Sequence, residues 1–558
     1  MKKIYRFITM MLIVGFVSSC DLDLLSDPNA VTPENASIEL LMNNIFVEIA
    51  DTYVNLTYQG VTDVTSPFIR HIAMQGSQFY AFADGPETYD FIWGQFYSTL
   101  LPDINVVIDK ATADGIPGYS GVAKVIKAYL LFTLVDMFGD IPYSDALQGT
   151  DKLSPTVDDD EAVYNAALDV LNSGIDDLTN TPASYRLVND LFYGGDPVKW
   201  LKLANTLKLR YYLTTRFVNS NSLTEINNII NANNYISARA DDFQFNYGNN
   251  RSAPDSRHPG YADAYESGGP SVYMSNYVMW TMFGEKENED PRIRYFFYRQ
   301  DCDETDENSF TLGCQFQPYP FHWPDGFPYC TASLDWGDPN QEYGGYWGRD
   351  HGDDSGIPPD DLKRTTTGIY PVGGKFDGDD CAQVSNGGTD GLKGQGIHPI
   401  ILASYVHFMI AEAKLAGGDA ASARTSLEAG IRESIGKVMA FGAADADAAY
   451  VPTTVQIDAY VNEVLASYDA ADTDGKLNVI MKEYWIASYG NGLEAFNGYR
   501  RTCKPTGMQL SLEANPGAFP RSFWYPASFV NRNENVDQKP NVEVKVFWDA
   551  NPAGCTLQ

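Results

Sequence analysis

The sequence has little positive charge and few histidines. It holds 39 Lys and Arg against 73 Asp and Glu, a formal net charge of −34 at pH 7. Such a surface repels nucleic acid and anionic lipid, which excludes a nucleic-acid-binding role. The six histidines are scattered, and the HExxH, GxSxG, P-loop and GxGxxG motifs are missing from the sequence. With so many acids, pairs of carboxylates are inevitable and do not indicate a glycosidase.

Long apolar runs and flexible linkers are also missing. After residue 20 no stretch of the sequence is long and apolar enough to cross a bilayer. The 558 residues are enough for several domains, yet no Pro/Ser-rich linker divides them. Aromatic residues, in contrast, are plentiful, with 9 Trp, 35 Tyr and 29 Phe available for a core and a binding surface.

The amino terminus has the pattern of a secretory signal. Three cations precede the apolar run 7–16, which is too short to span a membrane as a mature helix. The residues Val17-Ser18-Ser19-Cys20 resemble the bacterial lipoprotein box, which implies removal of residues 1–19 and lipidation of Cys20. Acyl chains would hold the body at a membrane leaflet without a spanning helix. In the alternative, signal cleavage is ordinary and Cys20 is incidental.

The mature start is a polar spacer, residues 20–37. Asp21 and Asp23 follow Cys20 directly, and acidic residues there resemble the surface-export signal of Bacteroidetes lipoproteins. Loss of the three amino-terminal cations takes the net charge from −34 to −37. We therefore expect an exported body with an acidic surface.

Six further cysteines lie in the second half of the chain, and in an oxidising exterior they are able to pair. Six cysteines allow 15 connectivities, and the sequence does not decide among them. Our hypothesis is pairing of neighbours: Cys302–Cys314, Cys330–Cys381 and Cys503–Cys555.

The stretch Ser120–Leu147 is the organising element of the sequence. Ser120 is a suitable helix cap, and apolar residues then recur at helical spacing. From Leu130 to Phe138 the run is apolar almost all round, interrupted chiefly by Asp136, so this turn should be deeply buried. Gly139 fits a left-handed C-terminal cap.

Helical patterns occur on both sides of a loop-rich middle part. They cover Ile38–Asp51, Gln95–Ala111, Asp160–Leu178, a helix opened by Asp196-Pro197, Tyr273–Met282, Ile400–Ala416 and a helix capped by Asp419. Residues 241–395 are instead dense in Gly, Pro, Asp and aromatic residues. The predicted fold is mainly α, with helix pairs of tetratricopeptide-like length but no clean repeat period.

Four segments resemble the SusD/RagB family of nutrient-binding outer-membrane lipoproteins. They are KAYLLFTLVDMFGDIPYSDALQG from Lys127, the helix with Lys199-Trp200 and Leu207–Arg210, Asp290-Pro291-Arg292, and the closing segment from Met481 to Asp549. Together with the lipidation pattern at Cys20 they extend over nearly the whole chain. The resemblance implies one interwoven SusD-like domain from residue 38, with a helical part 38–240, a ligand-binding insertion 241–395 and a closing helical part 396–558.

The resemblance also implies a function. Members capture a nutrient oligomer at the cell surface and deliver it to a TonB-dependent, SusC-like outer-membrane transporter, acting as a lid over the barrel. No enzymatic reaction is implied. A glycan is the expected ligand, and a peptide-binding role within the same family is the alternative.

Aromatic side chains are the expected ligand contacts, because sugar C–H faces stack on Trp and Tyr rings. The candidates lie amid Gly and Pro in the middle part and in an amino-terminal cluster: Trp323, Trp336, Trp347, Tyr346, Tyr343, Tyr80 and Trp93. The alternative for each is that it pins a long loop to the core.

We expect no cofactor, with structural calcium as a possible addition. Carboxylates cluster at 301–304, Asp353-Asp354 and 377–380, but none of these follows the EF-hand pattern. The alternative for these acids is a solvated surface.

Two other classes of protein compete with the transport lipoprotein. A secreted helical glycan-degrading enzyme, a lyase or hydrolase, would need a cleft with an acid and a base. A free periplasmic binding protein would lack acylation and would normally show two α/β lobes.

Overall fold

The computed structural model describes residues 36–57, 59–75, 85–266, 270–300, 345–353, 363–385, 387–512 and 517–551. It is about 51% helical, which confirms the mainly α prediction. The largest buried apolar cluster contains residues from both ends of this range, from Ile38 to Trp548.

The amino-terminal part is built mainly from helices. They are α1 (Ile38–Tyr53), α2 (Val61–Thr65), α3 (Asp90–Gly94), α4 (Leu101–Ala113), α5 (Pro117–Phe138), α6 (Asp160–Thr179), α7 (Pro197–Thr214) and α8 (Ser222–Ala232). A π-helical turn, Gln95–Leu100, joins α3 to α4, so the predicted helix from Gln95 begins irregularly. Asp196 caps α7 as predicted, accepting the N–H of Val198 at 3.0 Å.

The middle part carries short strands and helices. The strands are β1 (Ile72–Gln75), β2 (Phe243–Asn246), β3 (Val272–Met274), β4 (Phe297–Tyr298), β5 (Thr366–Thr367) and β6 (Ile397–Ile401), and the helices are α9 (Pro259–Ala264), α10 (Asn276–Phe283) and α11 (Ile293–Phe296). The strands form the antiparallel pairs β1–β3, β2–β6 and β4–β5. The predicted helix Tyr273–Met282 is therefore the end of a strand followed by α10.

The carboxy-terminal part returns to helices: α12 (Ala403–Ala416), α13 (Ala420–Gly442), α14 (Thr454–Ala470), α15 (Thr473–Ala487), α16 (Gly492–Thr502) and α17 (Ala527–Val530). Helices α12 and α13 pack together, and Asp419 caps α13 as predicted by accepting the N–H of Ser422. The predicted start of the first helix at Ile400 is wrong. Ile401 belongs to β6 and pairs with Phe243, because β-branched residues favour an available partner strand.

The start of α5 also differs from the prediction. The helix begins at Pro117, and Ser120 lies inside it, where its hydroxyl donates to the Asp177 carboxylate at 2.7 Å. Proline suits the first helical position because its φ is preset and its missing N–H would have no helical partner. The helix ends at Gly139, as predicted, but with φ of +67° and ψ of −121° the glycine is not in the left-handed helical conformation that was predicted for the cap. Glycine adopts this positive φ without steric cost.

Asp136 is the buried carboxylate in the apolar run of α5. Its Oδ1 accepts from the Trp548 Nε1–H at 3.0 Å and the Tyr164 hydroxyl at 3.2 Å. Its Oδ2 accepts from the Asn497 amide at 2.8 Å and the Arg210 guanidinium at 3.2 Å. Burial raises the pKa of Asp136, and the charge of Arg210 opposes that shift. One side chain thus joins α5 to α6, α7, α16 and the closing segment.

The closing helix α16 is held by buried ion pairs. Glu494 contacts Arg210 at 2.8 Å, and Arg501 contacts Glu412 of α12 at 2.8 Å. Arg500 donates to the backbone carbonyl of Asp136 at 2.6 Å. These groups are bound to each other within the protein interior, which assigns them to the scaffold.

Three buried histidines are neutral in the fold. Burial lowers the pKa of His71, His258 and His398 to about 3 in each case. Among the residues that the structure describes, neither ring nitrogen of His398 has a hydrogen-bond partner, and the ring lies 5.6 Å from that of Tyr53. Protonation of such a ring would bury an uncompensated charge.

We predict that Asp136→Ala lowers the free energy of unfolding by about 3–5 kcal/mol, because it leaves Arg210 and three neutral donors without their acceptor. Urea unfolding followed by circular dichroism measures this loss. The matched control is Asp109→Ala on the exposed face of α4, expected within about 0.5 kcal/mol of wild type. Equal stability of the two variants would contradict the structural role of Asp136.

We predict that His398→Phe weakens the acid sensitivity of folding. The pKa of His398 is about 3 in the fold and about 6.5 when unfolded, so its neutral form contributes stability above pH 6.5 that is lost as the pH falls toward 3. Between pH 7 and pH 5 the wild type should therefore lose about 2 kcal/mol more than the variant. Urea unfolding at both pH values measures the difference. Parallel losses would show that His398 titrates normally.

Candidate functional site

Four of the seven predicted ligand-contacting residues lie outside the described residues: Tyr80, Trp323, Trp336 and Tyr343. Their role stays a prediction. The same holds for Cys20, Cys302, Cys314, Cys330 and Cys555. Cys381 and Cys503 are both disulfide-bonded, and the proposed pairing of neighbours stays a prediction.

Tyr346 and Trp347 are described, and both are packed inside the protein. Each is 1% exposed. The backbone N–H of Trp347 donates to the Thr365 hydroxyl at 2.9 Å, and the Arg299 guanidinium lies 4.8 Å from the Tyr346 ring. The structure therefore gives these two rings a packing role, and the binding role predicted for them has no exposed ring face to support it.

The residues on either side of the predicted binding segments contact one another on one face of the fold. Strand β1, which precedes 76–84, pairs with β3. Arg349, which follows 301–344, donates its N–H to the Met274 carbonyl of β3 at 3.0 Å. Gln300, which precedes 301–344, donates to the Arg364 carbonyl at 2.9 Å, next to 354–362. We call this region, formed by β1, β3, β4, β5 and 345–353, the loop face.

Two cations stiffen the loop face. The guanidinium of Arg364 lies 4.0 Å from the ring centre of Tyr273 in β3, and that of Arg349 lies 5.3 Å from it. Arg349 also forms an ion pair with Asp353 at 3.1 Å. Cation–π contacts and ion pairs together fix the geometry from which neighbouring chain segments extend.

A cavity of about 100 Å³ lies beneath the loop face. Asp63 in its wall accepts the N–H groups of Asn55 at 2.8 Å and Gly60 at 3.1 Å, and burial raises the pKa of Asp63 to about 7. His71, also in the wall, bonds through Nε2 to the Trp485 carbonyl at 2.8 Å. A cavity of this size suits ordered water molecules, and it is too small for an oligosaccharide.

A larger surface cleft, of about 430 Å³, includes the predicted residue Trp93. Trp93 is 7% exposed, with its ring 4.6 Å from that of Tyr97 and 4.5 Å from that of Phe529. The rim carries Leu147, Leu153 and Arg532. We call this region the Trp93 cleft. Trp93 thus forms part of an aromatic floor, and little of its ring is exposed.

The acidic groups suggested for calcium are bound by side chains of the protein where they are described. Asp377 forms an ion pair with Arg299 at 2.7 Å, and that charge holds the pKa of Asp377 below its usual range despite burial. Asp380 accepts from the Tyr298 hydroxyl at 2.8 Å. Cations and hydroxyls of the chain thus already satisfy this cluster, and calcium binding stays a prediction.

A different acidic group, Asp140, Asp159 and Asp160, has the spacing to hold a cation, with ligand atoms within 4.8 Å of one another. Burial raises the pKa of Asp160 to about 6. The buried ammonium of Lys539 lies close enough to Asp140 and Asp160 for their charges to raise its pKa, although burial lowers that pKa overall to about 7. The ammonium of Lys539 therefore already compensates part of this negative charge.

The sequence did not predict Leu153 and Arg532, which lie at the rim of the Trp93 cleft. Leu153 is 78% exposed in a polar loop, and an isolated leucine between Lys152 and Ser154 was the available signal. Arg532 lies in a segment that matched the family pattern, but its exposure depends on tertiary packing. Neither residue follows a helical or strand period that would have singled it out.

Known proteins resemble this chain along most of its length. A family model described as "Starch-binding associating with outer membrane" matches residues 28–318, and one described as "Susd and RagB outer membrane lipoprotein" matches residues 395–546. A comparison with curated proteins finds no match.

Several solved structures share the fold. A SusD homologue from Bacteroides fragilis NCTC 9343 is 19% identical, with a TM-score of 0.65 over 92% of this chain and 99% of that one. A SusD/RagB family protein from Bacteroides thetaiotaomicron VPI-5482 is 18% identical, with a TM-score of 0.64 over 92% and 99%. A structure described as a chitin-binding SusD homologue from Flavobacterium johnsoniae is 19% identical, with a TM-score of 0.63 over 91% and 99%.

These structural likenesses confirm the predicted SusD-like fold, and the first family model alone covers more than half of the sequence. The chain belongs to the SusD/RagB family.

Proposed function

We propose that this protein is a surface lipoprotein of the outer membrane that binds a glycan and delivers it to a TonB-dependent transporter. The family match over residues 28–318 carries the proposal, because that family is described as starch-binding and associated with the outer membrane. The chitin-binding description of one structural relative points to the same ligand class.

The loop face is the proposed site of glycan binding. The segments that contain Tyr80, Trp323, Trp336 and Tyr343 are flanked by chain that meets at this face. Aromatic rings there would stack on sugar faces, and neighbouring polar groups would bind the hydroxyls. A rigid base favours affinity, since less ordering is needed when the ligand binds.

A binding role fits the described acids better than catalysis. Asp136, Glu412, Glu494 and Asp377 are each bound to arginines in the interior. A general acid needs access to substrate and a pKa near the working pH. Asp63 has such a pKa, but its carboxylate accepts from the backbone N–H groups of Asn55 and Gly60 beside a small cavity.

Lipidation at Cys20 would anchor the protein. Among the helices of the described residues, none is both long and apolar enough to cross a membrane. An acyl anchor beside a transporter raises the effective concentration of the lid over the barrel, so weak contacts suffice. Opening and closing of the lid would then exchange ligand between the outside and the transport path.

We predict that the Cys20→Ser mature chain binds starch or chitin oligosaccharides in isothermal titration calorimetry. Trp323→Ala and Trp336→Ala should each weaken binding at least tenfold, about 1.4 kcal/mol, because a stacking ring is lost. Trp524→Ala, a half-buried tryptophan of the closing segment, should leave affinity unchanged. Shortening of the oligosaccharide during incubation would overturn the binding role in favour of the enzyme.

We predict that the native protein, extracted from outer membranes in mild detergent, co-purifies with a TonB-dependent barrel in stoichiometric amount. Mass spectrometry of the purified complex tests this. The Cys20→Ser protein should no longer remain in the membrane fraction by its own anchor. Recovery of an acylated protein without any barrel would contradict the delivery role.

A further inference from the structure

The Trp93 cleft has an apolar floor built from three rings. The ring centre of Trp93 lies 4.6 Å from that of Tyr97 and 4.5 Å from that of Phe529. The Tyr97 hydroxyl is turned to the backbone, where it donates to the Pro142 carbonyl at 2.8 Å. The floor therefore presents mainly carbon, which favours an aliphatic or aromatic side chain as occupant.

Two exposed leucines lie at the rim of the cleft, on a loop that is held in place by hydrogen bonds. Leu147 is 42% exposed and Leu153 is 78% exposed. Asn533 and Asn535 donate to the loop carbonyls of Pro155 and Ser154, each at 2.7 Å. A fixed loop that holds leucines outward beside an aromatic floor is typical of a surface that another segment covers.

Arg532 adds a positive charge to this rim. It is exposed, and among the described residues no ion pair or hydrogen bond of its guanidinium is found. The chain has 73 acids for 39 Lys and Arg, so the exposed guanidinium places a local positive charge on a predominantly acidic protein. The occupant that suits this rim carries carboxylates beside its apolar side chains.

We propose that the Trp93 cleft is the docking site for the chain's own segment Asp21–Asp27. That segment reads Asp-Leu-Asp-Leu-Leu-Ser-Asp. Its three leucines match the aromatic floor and the leucine rim, and its aspartates match Arg532. The proposal concerns the tether of the protein and does not rest on glycan binding.

The segment is able to reach the cleft. The described chain begins at Ala36, next to α1, and Glu48 in α1 accepts from Gln95 at 2.9 Å, beside Gly94 of the cleft. From Ser37 to Glu48 the helix rises about 16 Å. The residues between Asp27 and Ala36 span up to about 30 Å when extended. The connecting residues are therefore long enough to reach from Ala36 back along α1 to the Trp93 cleft.

Covalent linkage compensates for a small interface. A segment attached through a short flexible connection has an effective concentration in the millimolar range, so a dissociation constant of about 1 mM already populates the docked state. The net charge of the body opposes an acidic segment, but Arg532 acts at contact distance, where salt screens least. Burial of the segment's leucines against the aromatic floor does not depend on charge.

Docking would change the reach of the protein from its anchor. The seven docked residues account for about 23 Å of extended chain between Cys20 and the body. With the segment docked, the body stays near the membrane. With the segment released, the body is able to move farther from the membrane by that length of chain. The docked state would thus limit how far the body moves when it opens over a partner.

Site-specific photo-cross-linking in the full mature chain with Cys20→Ser tests the proposal. A benzoyl-phenylalanine placed at position 25 should form intramolecular adducts with residues 142–155 and 528–533, mapped by mass spectrometry. The same probe at position 30 should give at least fivefold less of these adducts. Free peptide of the sequence 21–27, in excess, should lower the yield in proportion to its concentration.

Matched variants separate docking from chance contact. Arg532→Glu and Leu153→Ser should lower the adduct yield at least fivefold. Lys545→Glu, an exposed cation of the same closing segment, and Val455→Ser, which is also 78% exposed, should leave it unchanged. Adducts spread over the surface, adducts only between two molecules, or equal yields in all four variants would each overturn docking within one chain.

Discussion

The scaffold depends on a carboxylate that is buried in the middle of an apolar helix. Asp136 has no access to water, so every lone pair it directs inward must meet a donor from the protein. Those donors come from Arg210, Asn497 and Trp548, which are distant from it in sequence. The burial of Asp136 in α5 therefore depends on the closing segment packing against this helix.

Similar logic governs the other charged groups of the interior. Arg292 lies 2.6 Å from Asp290 and 3.2 Å from Glu483, and Arg501 pairs with Glu412. The contacts of Arg292 with Glu483 and of Arg501 with Glu412 join segments far apart along the chain, whereas Asp290 is a near neighbour of Arg292 in sequence. Such networks add little net stability compared with apolar packing, but removing one partner is costly, so they specify one arrangement of the helices. The loop face rests on that fixed arrangement.

The sequence predicted the helices well where one apolar stripe decided their burial. Helices α1, α6 and α7 and the pair α12–α13 follow from spacing and caps, because those signals are local. Ser120 and Ile400 were misplaced because the competing signals came from elsewhere: Pro117 upstream, and a partner strand at Phe243. The fate of Trp93, Tyr346 and Trp347 was not predictable, since an aromatic ring packs or binds according to neighbours that composition does not identify.

The loop face and the Trp93 cleft are chemically distinct. The lining residues of the Trp93 cleft and of the cavity beneath the loop face do not overlap. The cleft combines exposed leucines with a cation, which suits a peptide, whereas the loop face gathers the flanks of aromatic segments, which suits a sugar. A substitution at Arg532 would therefore change the proposed docking of the tether without touching the proposed glycan site. Under the proposed function, separate surfaces would allow the anchor and the ligand to be controlled independently.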